Sequence, residues 1–399
     1  MHYDELTFAD FFPVGDDCFT CTIRYKADHS TADRLGRYFF ERGYRIPSAH
    51  HALGRTWAKD YGREQTGHLP CLTDDCVFED TADEIAASVQ ARLDAGEALG
   101  EGMAHVDLGM QDENCWCSCK ACYALYLSSG NTWAGPMVYF SNRIDDELDR
   151  RGYDGIKYSM FAYAGSNPPP KNIAPNPDVY VTLVLHDACD VHSFDGSQCG
   201  DGNVDCAFMI GINRSYTSGA RRVLSNVDWG AWNRGWSELG AKLYIRVATL
   251  DHAMEPYATM YTIYDNMKFF AECGVLSIYN ESYAAYGRDF NYIVHELYQI
   301  MLMRPDMSRA DYFAEYCRLL EKYYGDGWRG VLAFADNVRE AELASGLCRS
   351  AWGPQVGRYD YAAFAASWDE TLAGLDLAIR EAASARQEYF CKMAKCAAI

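Results

Sequence analysis

The sequence predicts an α/β fold, specifically a (β/α)8 barrel (TIM barrel) followed by a C-terminal helical region. Three observations indicate it: short apolar runs rich in β-branched residues, amphipathic stretches between these runs, and a wholly helical pattern after residue 305. Parallel strands that are covered by helices on both faces produce this alternation, because each strand is then buried on both sides. We expect residues 1–305 to form the barrel and residues 306–399 to form a helical region packed against it.

Eight apolar runs fit strands, and eight parallel strands are the number that closes such a barrel. The predicted strands are residues 19–25, 44–50, 69–73, 104–109, 156–161, 179–185, 242–248 and 275–279. Apolar residues recur at three- and four-residue spacing between them, which predicts helices. These helices are residues 31–42, 81–95, 137–151, 259–273 and 290–303, with 309–324, 330–344 and 361–394 in the C-terminal region.

Composition narrows the classes of partner. The formal net charge is −20 and the sequence pI is about 4.9, and an acidic surface repels phosphate backbones and anionic lipid headgroups. Nucleic acid and membranes are therefore not expected partners. Aromatic residues make up 14% of the chain, which suits a protein that stacks sugar rings on aromatic side chains, although most of these rings are expected in the core.

The amino terminus carries acidic residues where a secretory signal carries positive charge. No apolar run approaches the roughly 20 residues that a membrane span needs. The sequence as printed therefore predicts a cytoplasmic protein, or a secreted one if a leader has been removed. The 16 cysteines are too scattered for a disulfide scaffold and fit a reducing compartment.

The candidate catalytic residues follow the fourth predicted strand. In a barrel of this type the chemistry lies at the carboxyl ends of the strands, and this strand runs into Met110-Gln-Asp-Glu-Asn114. Asp112 and Glu113 are adjacent, so on an extended segment their side chains point to different parts of one substrate. Glycoside hydrolysis ordinarily uses two carboxyl groups, and substrate-assisted variants replace the protein nucleophile with the 2-acetamido group of the sugar. A pair of solvated loop acids is the alternative.

Polar residues follow other predicted strands. Tyr163 follows the fifth strand and is a candidate hydrogen-bond donor in catalysis. Together these residues would surround the barrel mouth with hydrogen-bonding groups, as in a sugar pocket, although each by itself also fits a structural role. The candidate substrate-binding residues are His50, His51, His186, Asn280 and Glu281.

Four cysteines fall within eight residues directly after the acidic pair: Cys115, Cys117, Cys119 and Cys122. Cys119 and Cys122 have the CxxC spacing of a zinc knuckle or a redox pair, but no second CxxC or CxxH lies at zinc-finger distance. A structural zinc ion, a disulfide, a cluster of free thiols and redox catalysis stay open as alternatives. No cofactor is expected to be required for catalysis.

A glycine-rich segment, Gly325-Asp-Gly-Trp-Arg-Gly330, matches the GxGxxG pattern of dinucleotide-binding loops. That motif requires a preceding strand, whereas this segment follows a predicted helix. We therefore do not interpret it as a nucleotide site.

Several motifs together resemble a known family. They are Ser48-Ala-His-His51, Gln111-Asp112, Cys117-Ser-Cys-Lys-Ala-Cys122, Phe161-Ala-Tyr-Ala-Gly165 with Pro168-Pro-Pro170, and Tyr323-Tyr-Gly325. In this order and spacing, over about residues 40 to 340, the chain resembles the bacterial proteins that carry domain of unknown function 4838. That group is similar to glycoside hydrolase family 163, endo-β-N-acetylglucosaminidases that cut complex N-glycans. The resemblance implies a (β/α)8 barrel that acts with retention, with Asp112 and Glu113 at the positions of the acidic motif.

These observations predict a glycoside hydrolase that cleaves a β-linked N-acetylhexosamine in glycans. Glu113 is the expected general acid, Asp112 the residue that orients the acetamido group, and Tyr163 a donor to the developing oxazoline. Two alternatives stay open: a barrel that binds carbohydrate without cleaving it, and a cysteine-rich metal or redox protein.

Overall fold

The fold is built on one parallel sheet. A computed structural model of the chain describes residues 20–24, 70–96, 106–110, 116–117, 119–185, 191–195, 229–248, 258–281, 290–345 and 361–398. Within this part, six strands form the sheet. They are β1 (Thr20–Arg24), β2 (Val106–Asp107), β3 (Tyr158–Ala162), β4 (Val179–Leu185), β5 (Lys242–Ala248) and β6 (Ser277–Glu281).

The strand order in the sheet is β1-β6-β5-β4-β3-β2. Strands that follow one another in the chain are therefore neighbours from β2 to β6, and the first strand lies beside the last. Every pair is parallel, with Thr20 opposite Ser277 and Val106 opposite Tyr158 at the two ends of the order. All carboxyl ends consequently lie along one edge, which we call the carboxyl edge. All residues of β3 and β4 are buried, as expected of strands covered on both faces.

The sequence located most of these strands well. β4 and β5 have the predicted bounds, and the other four lie within or overlap their predicted runs. The predicted strand at 44–50 lies outside the described residues. The described strands form a parallel sheet in a mixed α/β fold. The closed eight-stranded barrel stays a prediction.

The third predicted strand, residues 69–73, is wrong over its described part. Residues 70–74 form a turn that leads into a helix, with the amide of Asp74 donating to the carbonyl of Cys71 at 3.1 Å. Asp74 caps that helix, since its side chain accepts from the amide of Cys76 at 3.0 Å. A capping residue satisfies helix donors that otherwise lack partners, and this local signal outweighs the short apolar run before it.

Helices fill the connections and the C-terminal region. They are α1 (Asp75–Asp94), α2 (Lys120–Ser128), α3 (Ala134–Arg150), α4 (Trp229–Glu238), α5 (Ile263–Glu272), α6 (Asn291–Met303), α7 (Arg309–Tyr324), α8 (Trp328–Ser345), α9 (Tyr361–Ala366), α10 (Trp368–Glu381) and α11 (Ala385–Ala398). The bounds of α7 match the prediction, and its cap Ser308 accepts from the amide of Asp311 at 3.1 Å. Residues 361–394 were predicted as one helix, but Ser367 and the segment 382–384 divide them into three. The predictions did not include α2 and α4.

The C-terminal helices share a continuous hydrophobic core with the sheet. Tyr312 of α7 donates to the carbonyl of Met260 at 2.6 Å, and Tyr261 bonds to Asp336 of α8. Lys322 of α7 also pairs with Glu296 of α6 at 2.8 Å. Among the helices that the structure describes, none has the length and apolar character needed to cross a bilayer.

The glycine-rich segment 325–330 packs helices rather than forming a loop after a strand. It follows α7, passes through a 3₁₀ turn, and enters α8. A Cβ atom on Gly327 would lie 2.2 Å from the Cα of Ala378, and one on Gly330 would lie 2.6 Å from the carbonyl oxygen of Gly374. These glycines therefore let α8 approach the backbone of α10 closely, which agrees with rejecting the nucleotide interpretation.

Candidate functional site

The carboxyl edge brings the chain after β2 next to the loop after β3. Leu108 and Met110, which follow β2, are 1% and 0% exposed. The hydroxyl oxygen of Ser166 lies 3.7 Å from the sulfur of Met110. The same hydroxyl accepts from the amide of Tyr163 at 3.0 Å and lies 2.9 Å from the carbonyl oxygen of Tyr163. The loop after β3 is thereby held against the end of β2.

The ends of β3 and β4 are joined by a buried amide. The side chain of Asn167 donates to the carbonyl of Ala162 at 2.9 Å and to that of Val184 at 3.2 Å. The indole nitrogen of Trp236, from α4, donates to the carbonyl of Asn167 at 2.9 Å. Because buried amides and carbonyls must be paired, this network fixes the backbone from which Tyr163 projects.

The structure locates three of the predicted catalytic and binding residues. Tyr163 directly follows β3 and is 7% exposed. Asn280 and Glu281 are the last two residues of β6, with backbones opposite Ile23 and Arg24 of β1. All three backbones therefore lie at the carboxyl edge. The remaining predicted residues lie outside the described part of the chain: Asp112, Glu113, His50, His51 and His186.

A row of aromatic side chains borders this edge. The rings of Trp116 and Trp133 are parallel to within 1°, with centroids 5.3 Å apart. Tyr126 lies 4.7 Å from Trp133, and Tyr123, which is 42% exposed, lies 5.6 Å from Tyr126. The amide of Trp133 donates to the carbonyl of Gly165 at 3.1 Å, which ties the row to the loop after β3.

Four cysteine thiols meet beside the aromatic row. The sulfur atoms of Cys71, Cys117, Cys119 and Cys122 all lie within 4.8 Å of one another. The Sγ atom of Cys71 lies 3.6 Å from that of Cys119 and 3.8 Å from that of Cys122. These distances are well above the length of about 2.05 Å of a disulfide bond, and none of the four cysteines is in a disulfide. We call this group the four-cysteine cluster.

The cluster differs by one member from the sequence prediction. Cys117, Cys119 and Cys122 are members as predicted, whereas Cys115 lies outside the described residues. Sequence reasoning missed Cys71, which lies far upstream in a region predicted as a strand. A lone cysteine with no CxxC partner gives no sequence signal of metal binding, and only its position in the turn before α1 brings it to the others.

Local hydrogen bonds surround the sulfur atoms. Cys119 caps α2, and its sulfur accepts from the amide of Cys122 at 3.4 Å. The hydroxyl oxygen of Thr73 lies 3.3 Å from the sulfur of Cys122, 3.5 Å from that of Cys71 and 3.6 Å from that of Cys119. Donors of this kind and a helix amino terminus stabilise thiolate over thiol.

The thiols of the four-cysteine cluster have different pKa values. The pKa of Cys117 is lowered to about 5, chiefly because the thiol of Cys122 hydrogen-bonds to it, and the pKa of Cys122 is raised by the same interaction. Burial raises the pKa of Cys71. The pKa of Cys119 is lowered, because burial, which acts to raise it, is outweighed by hydrogen bonds that include the amide of Cys122.

Comparison with known proteins identifies the family. The model of the family described as Domain of unknown function (DUF4838) matches residues 47–328, which is well over half of the chain, and the chain belongs to this family. No curated protein matches it.

Proposed function

We propose that this member of the domain of unknown function 4838 family is a glycoside hydrolase that cleaves a β-linked N-acetylhexosamine in glycans. The observation that carries the proposal is the placement of Met110. Met110 follows the end of β2 by three residues, is fully buried, and contacts Ser166, which is three residues after Tyr163. Asp112 and Glu113 come two and three residues later in the chain, and in (β/α)8 barrels the chemistry is carried by residues that follow the strands.

A (β/α)8 barrel is the architecture that we propose for the whole sheet. In a closed barrel the strands follow chain order and the first lies beside the last. The observed order has β1 beside β6 and sequential neighbours from β2 to β6, which supports this architecture. Such a barrel needs two more strands between β1 and β2 in the chain.

The proposed mechanism is retaining and substrate-assisted. Glu113 protonates the leaving oxygen as general acid, while Asp112 orients the 2-acetamido group whose carbonyl oxygen attacks the anomeric carbon. The oxazolinium intermediate then reacts with water, which Glu113 deprotonates as general base. Tyr163 donates a hydrogen bond to the developing oxazoline. His50, His51, His186, Asn280 and Glu281 are the proposed partners of substrate hydroxyl groups.

The aromatic row supports a carbohydrate substrate. Sugar rings pack their apolar faces on aromatic side chains while their hydroxyl groups bond to polar neighbours. Trp116 and Trp133 are half-buried and stack on each other, and the amide of Trp133 donates to the loop after β3. The same row favours the alternative proposal, a barrel that binds glycans without cleaving them.

Turnover distinguishes the two proposals. We expect the purified chain to release the chromophore from an aryl β-glycoside of chitobiose and to cleave members of an N-glycan panel, with the β-anomer as the first product seen by NMR. Binding of these glycans without turnover would favour the carbohydrate-binding alternative. If the chain neither binds nor cleaves any of them, both proposals are wrong.

A further inference from the structure

The spacing of the four-cysteine cluster matches the coordination sphere of one metal ion. Zinc binds thiolate sulfur at about 2.3 Å in a tetrahedron, so two sulfur ligands of the same ion lie about 3.8 Å apart. The Cys71–Cys119 and Cys71–Cys122 separations are 3.6 and 3.8 Å, and no pair of the four exceeds 4.8 Å. We propose that Cys71, Cys117, Cys119 and Cys122 bind one zinc ion.

Other chemistries of four cysteines fit this geometry less well. An iron–sulfur cluster has several irons bridged by sulfide, so thiolates on different irons lie farther apart than ligands of one ion. Two disulfides would require sulfur pairs near 2.05 Å. A tetrahedron of four sulfur ligands is typical of zinc, whose borderline-soft character suits thiolate. One zinc ion at the centre of the four sulfur atoms would be bound by all four of them as thiolates.

The surroundings of the sulfur atoms are those of a structural site. The amide of Cys122 donates to the sulfur of Cys119, and the hydroxyl of Thr73 lies within 3.6 Å of three sulfur atoms. Four thiolates around Zn²⁺ carry two excess negative charges, which such donors and the amino terminus of α2 offset. Four protein ligands fill the tetrahedron, which leaves no position for a reactive water. The proposed ion is therefore structural.

The ion would join segments that are distant in sequence. Cys71 lies in the turn before α1, Cys117 follows the stacked Trp116, and Cys119 and Cys122 begin α2. The stretch 111–115 is therefore bounded by the buried Met110 on one side and by the cluster on the other. If the proposed function holds, zinc fixes the chain a few residues after Asp112 and Glu113. Zinc binding itself does not depend on that function.

Metal analysis of the full chain tests the inference without any activity measurement. We expect about one zinc ion per chain by elemental analysis after purification without added metal. Cys71→Ser should lose that zinc. The matched control is Cys76→Ser, an exposed cysteine five residues later that is outside the cluster, and it should keep the metal. A folded Cys71→Ser chain that retains a full equivalent of zinc would overturn the proposal.

Two further measurements test whether Cys115 replaces Cys71 as a ligand and what is measured if Cys71→Ser does not fold. Cys115→Ser should keep its zinc, whereas loss of zinc there and retention in Cys71→Ser would overturn the assignment of Cys71. If Cys71→Ser does not fold, the wild-type chain is titrated with a mercurial thiol reagent while zinc release is followed with a chromogenic chelator. Release that accompanies the reaction of four thiols supports the site. Reaction of all accessible thiols with no zinc released shows that the cluster is metal-free and overturns the inference.

Discussion

The indole of Trp116 stacks on that of Trp133, with the planes within 1° and the centroids 5.3 Å apart. Trp116 lies between Cys115 and Cys117 in the chain after β2, and Trp133 directly precedes α3. The contact therefore connects the segment just after the acidic pair to the helix that leads to β3.

We expect Trp116→Ala and Trp133→Ala each to lower the free energy of unfolding by roughly 1–3 kcal/mol, because both rings are half-buried. Stacked rings contribute about 0.5–1.5 kcal/mol beyond their buried area, so a double-mutant cycle by urea unfolding should show a coupling of that size. The control is Leu127→Ala, 51% exposed on the neighbouring helix, which should change stability by less than about 0.5 kcal/mol. If the changes in free energy of unfolding caused by the two tryptophan substitutions are strictly additive, the stack contributes no stability of its own.

The proposed division of roles between two neighbouring acids predicts different responses to leaving-group quality. Glu113→Gln should slow glycans with poor leaving groups by on the order of 10²–10⁴-fold, and activated aryl glycosides far less, because only the former need protonation. Asp112→Asn should slow both classes alike, because every substrate must pass through ring closure by the acetamido group. Steady-state kinetics on a matched series of aryl and natural glycosides measures the difference.

A thiazoline analogue of the oxazoline provides the control for that mechanism and should inhibit the wild-type chain. A different result would indicate a protein nucleophile: the thiazoline does not bind, and azide yields a glycosyl azide in a variant that lacks another carboxylate, such as Glu281. In that case the roles proposed for Asp112 and Glu113 are wrong.

Asp145 of α3 should make the stability of the protein depend on pH. It is 4% exposed, and although Asn176 donates to it at 3.0 Å, burial raises its pKa to about 6. An unfolded aspartate titrates near 3.9, so the folded state binds the proton more tightly. Protonated Asp145 therefore stabilises the folded state fully below about pH 4, and this stabilisation is lost as the pH rises through about 6.

The Asp145→Asn variant should not lose stability as the pH rises, because an amide does not ionise. We expect the variant to exceed the wild type by up to about 3 kcal/mol in free energy of unfolding at pH 8, and by little at pH 4. Urea unfolding at the two pH values measures this difference. Asp146→Asn is the control, because Asp146 is exposed and also bonds to Asn176, and it should change the free energy of unfolding at pH 8 far less than Asp145→Asn does. An Asp145→Asn chain with the wild-type pH profile would contradict this account.

The close approach of α8 and α10 predicts opposite effects for two facing glycines. Gly330→Ala should destabilise the chain by roughly 1–3 kcal/mol, because its new Cβ would lie 2.6 Å from the carbonyl oxygen of Gly374 and the helices would have to separate. Gly374→Ala meets the Cα of Gly330 at 3.4 Å, an ordinary contact. This control should be neutral or stabilise by up to about 1 kcal/mol through higher helix propensity. Thermal unfolding of both variants compares them, and equal destabilisation would show that the interface tolerates neither.

The sequence by itself determined the fold class and the position of most regular elements. β4 and β5 were predicted to the residue because strands covered by helices are rich in apolar and β-branched residues, and this composition is visible without knowing the neighbouring strands. α7 was predicted equally well because the helical spacing of its apolar residues is a local signal. The rejection of a nucleotide site at 325–330 also followed from local context alone.

Only the tertiary structure decided which residues meet. Cys71 joins Cys117, Cys119 and Cys122 because the turn that Asp74 sets before α1 lies against the loop after β2. The close packing of α8 on α10, which needs Gly327 and Gly330, likewise depends on two helices far apart in the chain. A sequence pattern records the periodicity of one segment. It does not record the distance between two segments, because that distance results from how the whole core packs, and the four-cysteine cluster depends on such distances.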